Sequence, residues 1–98
     1  MTGKLKMTRG KTNVFRDLGF SPLEAQNLQL RSDLMTRIEF YVESEGMKQK
    51  DAAVRLGVTQ PRLNDLLKGK IEKFSLDALV NMLGHAGMRI ELSVKKAA

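Results

Sequence analysis

A short run of polar side chains beyond the middle of the chain carries groups that bind nucleic-acid bases. Gln60, Arg62 and Asn64 follow closely on one another, and Asp65 and Lys68 come directly after them. In the major groove of DNA, glutamine and asparagine amides pair with the edge of adenine, and arginine pairs with guanine. A helix that only packs into a core has no need of these side chains on its free face. The run therefore favours a helix that reads DNA.

The polar run belongs to a stretch, residues 49–68, whose pattern fits two short helices joined by a tight turn. Ala53 is small enough to lie where the two helices cross, and Gly57 tolerates the positive φ that the turn requires. Thr59 can cap the second helix and Pro61 suits its beginning. The apolar residues of the inner faces are Ala52, Leu56, Val58, Leu63 and Leu66. The stretch is thus predicted to be a helix-turn-helix rather than any helical hairpin of a core.

The distribution of charge favours a polyanionic partner. The net charge of the chain is +6. Residues 1–16 hold five Lys and Arg and no acid, and residues 48–73 hold seven Lys and Arg against three Asp and Glu. The stretch between them, residues 17–47, is acidic on balance. Because the second basic block coincides with the predicted helix-turn-helix, double-stranded DNA is the expected partner.

Several other classes of function lack the residues that they need. With no cysteine and a single histidine, His85, the chain has no cysteine- or histidine-based metal site. It has no glycine-rich phosphate loop, no paired catalytic carboxylates and no Ser-His-Asp set. It also lacks the apolar core of a signal peptide and the roughly 18 apolar residues of a membrane span. We expect a cytoplasmic protein that is not an enzyme and that uses no cofactor or metal.

The remaining elements are predicted from caps and periodicity. Residues 1–12 show no periodicity and are interpreted as a mobile basic tail, whereas residues 13–98 are interpreted as one domain. Ser21 begins an amphipathic helix that Gly46 ends, as one long helix or as two with a bend. Ser75 caps a further helix, which ends around Gly84 to Gly87.

The C-terminal residues 88–95 alternate apolar and polar side chains, which is typical of a β-strand. A lone strand leaves its backbone groups unpaired, so the same strand of a second copy is the expected partner. The predicted fold class is mainly α, a helix-turn-helix bundle of four to five helices with one C-terminal β-strand that pairs across a dimer.

These residues resemble the lambda-repressor-like (Xre-type) family of helix-turn-helix regulators. The matching positions are Gln49, Ala52, Ala53, Leu56, Gly57, Val58, Thr59, Gln60 and Gly69. The flanking segments 13–15, 17–20, 60–63, 66–70 and 74–77 are similar to the HigA-type antitoxin branch, and the resemblance covers nearly everything from Asn13 to Val94. It implies a homodimer that represses its own operon at a roughly palindromic operator and neutralises a RelE-like ribonuclease toxin. The alternative is a stand-alone Xre-type repressor with no toxin partner.

The resemblance also implies which residues bind DNA. They are Gln49, Lys50, Thr59, Gln60, Arg62, Asn64, Lys68 and Lys70. Gln49 would contact a phosphate from the start of the first motif helix, while Arg62 and Asn64 are assigned to base edges. Where the family often has a capping Ser or Thr, this chain has Lys48, and the loss of such a cap typically costs about 1 kcal/mol.

Asp65 would also face DNA and repel its phosphates. Three roles are open for it: to accept a hydrogen bond from cytosine, to pair with Arg62, or to pair with Lys68.

A short apolar segment precedes the first long helix, with Val14, Phe15, Leu18 and Phe20 as its large side chains. Two interpretations are open for it. It binds a protein partner, or it folds back on the core of its own chain.

Overall fold

The computed structural model describes residues 13–96, which form five α-helices and one short 3₁₀ helix. In chain order the helices are α1 (Val14–Asp17), α2 (Pro22–Glu45), α3 (Gln49–Leu56), α4 (Gln60–Leu67), the 3₁₀ helix (Ile71–Lys73) and α5 (Leu76–His85). The predicted mobile tail over residues 1–12 lies outside the described residues. Within those residues, none of the helices combines the length and the apolar character that crossing a membrane requires.

Helix α2 begins and ends at the predicted residues. The hydroxyl of Ser21 accepts a hydrogen bond from the backbone N–H of Glu24 at 3.2 Å, and the Glu24 carboxylate accepts one from the Ser21 N–H at 3.3 Å. This reciprocal pair is a capping box. Gly46 ends the helix with φ +62°, and the chain between is one continuous helix rather than two. The predicted caps are confirmed.

The hydrophobic core lies between α2, α3, α4 and α5. Its fully buried residues on the last three helices include Leu56, Leu63, Leu66 and Leu79, and α2 contributes Ile38. The other members are Leu34, Met35, Val42, Ala52, Ala53, Phe74, Met82 and Leu83. One face of α3 and one face of α4 are buried in this core. The opposite faces of the two helices therefore remain on the surface.

Arg31 of α2 holds the segment that follows α4. Its Nη1 donates hydrogen bonds to the carbonyl oxygens of Ile71 and Phe74, both at 3.3 Å, and its Nε donates to Asn27 at 2.8 Å. These bonds tie the 3₁₀ helix to α2 and so set the position of Phe74 beside α4.

The predicted C-terminal β-strand at residues 88–95 is wrong. No part of residues 13–96 is in a strand, and a strand needs a neighbouring segment for its ladder of hydrogen bonds. The backbone N–H of Met88 instead donates to the carbonyl of Leu83 at the end of α5. Met88 and Ile90 pack against the core, but Leu92 and Val94 are 80% and 93% exposed. The alternating pattern therefore corresponds to Met88 and Ile90, which cover part of the core, and not to a strand.

Helix α1 packs on the first turns of α2. Asn13 caps α1 by accepting a hydrogen bond from the Phe15 N–H at 2.9 Å, and its amide donates to the carbonyl of Ala25 at 3.2 Å. The rings of Phe15 and Phe20 meet edge to face, with 6.3 Å between centroids. Neither ring is part of the core formed by α2 to α5. The apolar segment thus folds against α2 without joining that core.

The turn at Gly57 gives a test of the fold. A Cβ at Gly57 would lie 2.8 Å from Cγ and Cδ2 of His85, whereas one at Gly46 would meet nothing within 4 Å, and both glycines have left-handed φ. Gly46→Ala should cost about 1–2 kcal/mol of unfolding free energy for its conformation alone. Gly57→Ala should cost more than this, because the His85 ring must move away from the new Cβ.

Urea denaturation of the two variants, with Gly57→Ala/His85→Ala as a third, separates these terms. The double variant should return to the stability of Gly46→Ala. Equal losses for the two single variants would show that the His85 contact has no energetic weight.

Candidate nucleic-acid interface

The turn between α3 and α4 has the local geometry that the sequence predicts. Gly57 adopts φ +71°, and the Val58 N–H after it donates to the carbonyl of Ala53 at 3.0 Å. The hydroxyl of Thr59 accepts a hydrogen bond from the Arg62 N–H at 3.3 Å and caps α4. Ala53 is 3% exposed, so this small residue of α3 is buried in the core as the motif requires. These features confirm the helix-turn-helix geometry of residues 49–68.

The surface of α4 carries the polar side chains in helical register. Gln60 and Asn64 lie one turn apart, as do Pro61 and Asp65. A shallow groove runs along this surface, and its lining residues are Gln49, Gln60, Pro61 and Asn64. The groove therefore brings together three of the residues predicted to bind DNA, one from the start of α3 and two from α4.

Arg62 lies beside this groove and is half-buried. Its guanidinium carbon is 4.4 Å from the centroid of the Phe74 ring, a cation–π geometry. Arg31 donates a hydrogen bond to the carbonyl of Phe74 and so holds that residue in place. Arg62 is therefore fixed against the segment that follows α4. Its charge is thus placed at the flank of the exposed face rather than at its middle, and its assignment to a base edge stays a prediction.

Asp65 pairs with two lysines that sequence reasoning did not assign to it. Lys70 Nζ is 3.3 Å from Oδ1, and Lys73 Nζ is 3.4 Å from Oδ2. Partial burial raises the pKa of the Asp65 carboxyl, but hydrogen bonds and attraction from both lysines outweigh this and leave the pKa below its usual value. The carboxylate is therefore ionised at neutral pH. Neither of the two ion pairs considered from the sequence, with Arg62 or Lys68, is formed.

The other predicted DNA-binding residues lie on the surface around the groove. Lys50, in the first turn of α3, and Lys68, the residue that ends α4, are both exposed. Lys70 forms an ion pair with Asp65, and 41% of its side chain is exposed. Lys48 makes no side-chain cap to α3, as expected from its type. None of the residues that line the groove is charged, so the lysines lie elsewhere on the surface.

Two residues that shape this site, one exposed and one buried beneath Arg62, were not assigned to it from the sequence. Pro61 was assigned only to the start of α4, although a helical repeat of about 100° per residue places it at the middle of the exposed face. Phe74 lies twelve residues from Arg62 along the chain, and no local pattern links the two. The sequence therefore contained a signal for Pro61, its position in the helical repeat, but none for Phe74.

The comparison with known protein families agrees with this geometry. Residues 14–95 match the family model described as a helix-turn-helix domain. The chain therefore belongs to that helix-turn-helix domain family, and this membership indicates a DNA-binding regulator. No curated protein matches the chain.

The uncapped start of α3 gives a second test. Lys48 already has the extended backbone of an N-cap residue, with φ −67° and ψ 152°. Lys48→Ser should supply the missing acceptor and raise the unfolding free energy by about 1 kcal/mol. Lys50→Ser, which removes the same charge two residues later, is the matched control. If urea denaturation shows equal gains for both variants, charge removal and not capping is responsible.

Proposed function

We propose that this protein is a sequence-specific transcriptional regulator that binds double-stranded DNA through α4 and acts by binding rather than by catalysis. The observation that carries the proposal is the groove that Gln49, Gln60 and Asn64 line together on the exposed face of a helix-turn-helix. Amides at such a position can pair with adenine edges in the major groove or with phosphates along its rim.

The surrounding charge supports the same function. Lys50 and Lys68 are exposed at the two ends of the groove-bearing pair of helices, and residues 48–73 carry a net charge of +4. Lysines at the rim bind phosphates without regard to sequence and fix the orientation of the protein on the duplex. The amides between them then supply the selectivity among bases.

We further infer that two copies bind together to a roughly palindromic operator. Helix α4 has eight residues, about 12 Å of helix at 1.5 Å per residue, and so spans only a few base pairs. A two-fold pair of such helices one DNA turn apart doubles the contacts. Leu92, which is 80% exposed, lines an apolar groove with Leu30 and Val80, and this surface favours the association of two copies.

The test of DNA recognition uses two asparagines. On a duplex selected by the wild-type protein from a random pool, Asn64→Ala should weaken binding by about 5- to 150-fold, the range for one base contact. Asn81→Ala, at an exposed position of α5, is the matched control and should bind as the wild type does. Fluorescence anisotropy at a fixed salt concentration measures both. Equal affinities for the two variants would contradict the proposed role of the groove.

A second function, neutralisation of a RelE-like ribonuclease toxin in the manner of HigA-type antitoxins, is favoured by the apolar surface of the first helices. Val14, Leu18 and Leu23 are 54%, 69% and 83% exposed, and Phe20 is 42% exposed. Contiguous exposed apolar side chains are typical of protein interaction sites. Helix α1 packs on α2 and is not part of the helix-turn-helix. A partner bound to the apolar surface of α1 and the start of α2 would therefore leave the surface of α4 open.

Co-expression with the product of the adjacent gene tests this second function. If that product arrests growth, the wild-type chain should relieve the arrest and co-purify with it. Leu18→Asp should abolish the complex and leave DNA binding intact. Val54→Asp introduces the same charge at another exposed apolar position, 77% exposed on α3, and should keep the complex. Absence of both arrest and complex would leave a stand-alone repressor.

A further inference from the structure

Asp65 is an acidic side chain on the surface that α4 presents to DNA. It follows Asn64 of the groove directly and lies one turn after Pro61, and 27% of its side chain is exposed. An isolated carboxylate at this position would repel the phosphates of a bound duplex. Its presence on the exposed face of α4 therefore needs a physical reason.

Two lysines offset the charge of the carboxylate and orient it. Each carboxylate oxygen has one lysine, Lys70 on Oδ1 at 3.3 Å and Lys73 on Oδ2 at 3.4 Å. An ionised carboxylate has about four lone-pair sites, so each oxygen keeps capacity for a further donor. Since the lysines hold the pKa of the carboxyl below its usual value, the group stays an acceptor with no proton to donate.

An acceptor without a donor discriminates among the four bases. In the major groove guanine presents two acceptors and thymine presents an acceptor and a methyl group, so both repel or fail to bind a carboxylate. Adenine presents its amino group beside the acceptor N7, whereas cytosine presents its 4-amino group as a donor alone. Cytosine is the base that fits.

We propose that Asp65 is a specificity-determining residue, which selects cytosine by accepting a hydrogen bond from the 4-amino group of that base while Lys70 and Lys73 neutralise its charge. The proposal rests on the proposed DNA-binding function and names one base class of its target. Arg62 does not compete for the carboxylate, because its guanidinium is stacked on Phe74.

The first experiment selects binding sites from a random duplex pool with the wild type, Asp65→Asn and Glu72→Gln. Glu72 is an exposed acid of the 3₁₀ helix, so its variant makes the same change in charge. The wild type and Glu72→Gln should enrich the same half-site with an invariant cytosine. Asp65→Asn should lose that cytosine in favour of adenine, which an asparagine amide prefers. An unchanged half-site for Asp65→Asn would overturn the proposal.

The second experiment alters the DNA and leaves the protein intact. In the selected duplex the cytosine is replaced by 2-pyrimidinone, which lacks the 4-amino group. Wild-type affinity should fall about fivefold, the lower end of the range for a base contact, and Asp65→Asn should show no comparable fall. Equal falls for both proteins would show that Asp65 serves only as an ion-pair partner of the lysines. Failure of the wild type to enrich any duplex would instead reject DNA binding itself.

Discussion

The close contact of α3 with α4 is the constraint on which the rest of the structure depends. The two helices are joined by the left-handed turn at Gly57, next to the His85 ring, and the small side chain of Ala53 is buried on α3. With both inner faces buried, the rotation of α4 about its axis is fixed. The groove between Gln49 and Asn64 follows from that rotation, because a different one would bury the amides or separate them.

Charged and uncharged side chains of this surface are at different positions. Residues with uncharged amide side chains line the groove, Lys50 and Lys68 are exposed on the same pair of helices, and Arg62 is held against Phe74. The single acid of α4 is matched by two cations, so it adds an acceptor without leaving a net negative site. In the proposed function, phosphate binding by the lysines and base selection by the amides would fall to different groups, which correspond to the salt-dependent and sequence-dependent parts of DNA affinity.

Local chemistry made most of the fold predictable from the sequence. The capping box at Ser21, the hydroxyl cap at Thr59 and the left-handed glycines each act within a few residues, so the sequence pattern contains both partners. The contacts of Arg62 and Asp65 were not predictable in this way, since their partners follow α4 and are placed by the tertiary fold. The prediction of a C-terminal strand failed for a related reason. Alternation indicates only that one side of a segment is apolar, whereas a strand also needs a neighbouring segment to pair its backbone hydrogen bonds.

A titration of the isotopically labelled protein with a selected DNA duplex, followed by two-dimensional NMR, tests the central claim most directly. If α4 reads DNA, the largest changes in chemical shift should fall on the amides of Gln49, Gln60 and Asn64 and on the backbone from Thr59 to Lys70. Residues 13–25 should change little in the same titration. Shifts confined to residues 13–25, or no shifts at low salt, would contradict DNA recognition by this helix-turn-helix.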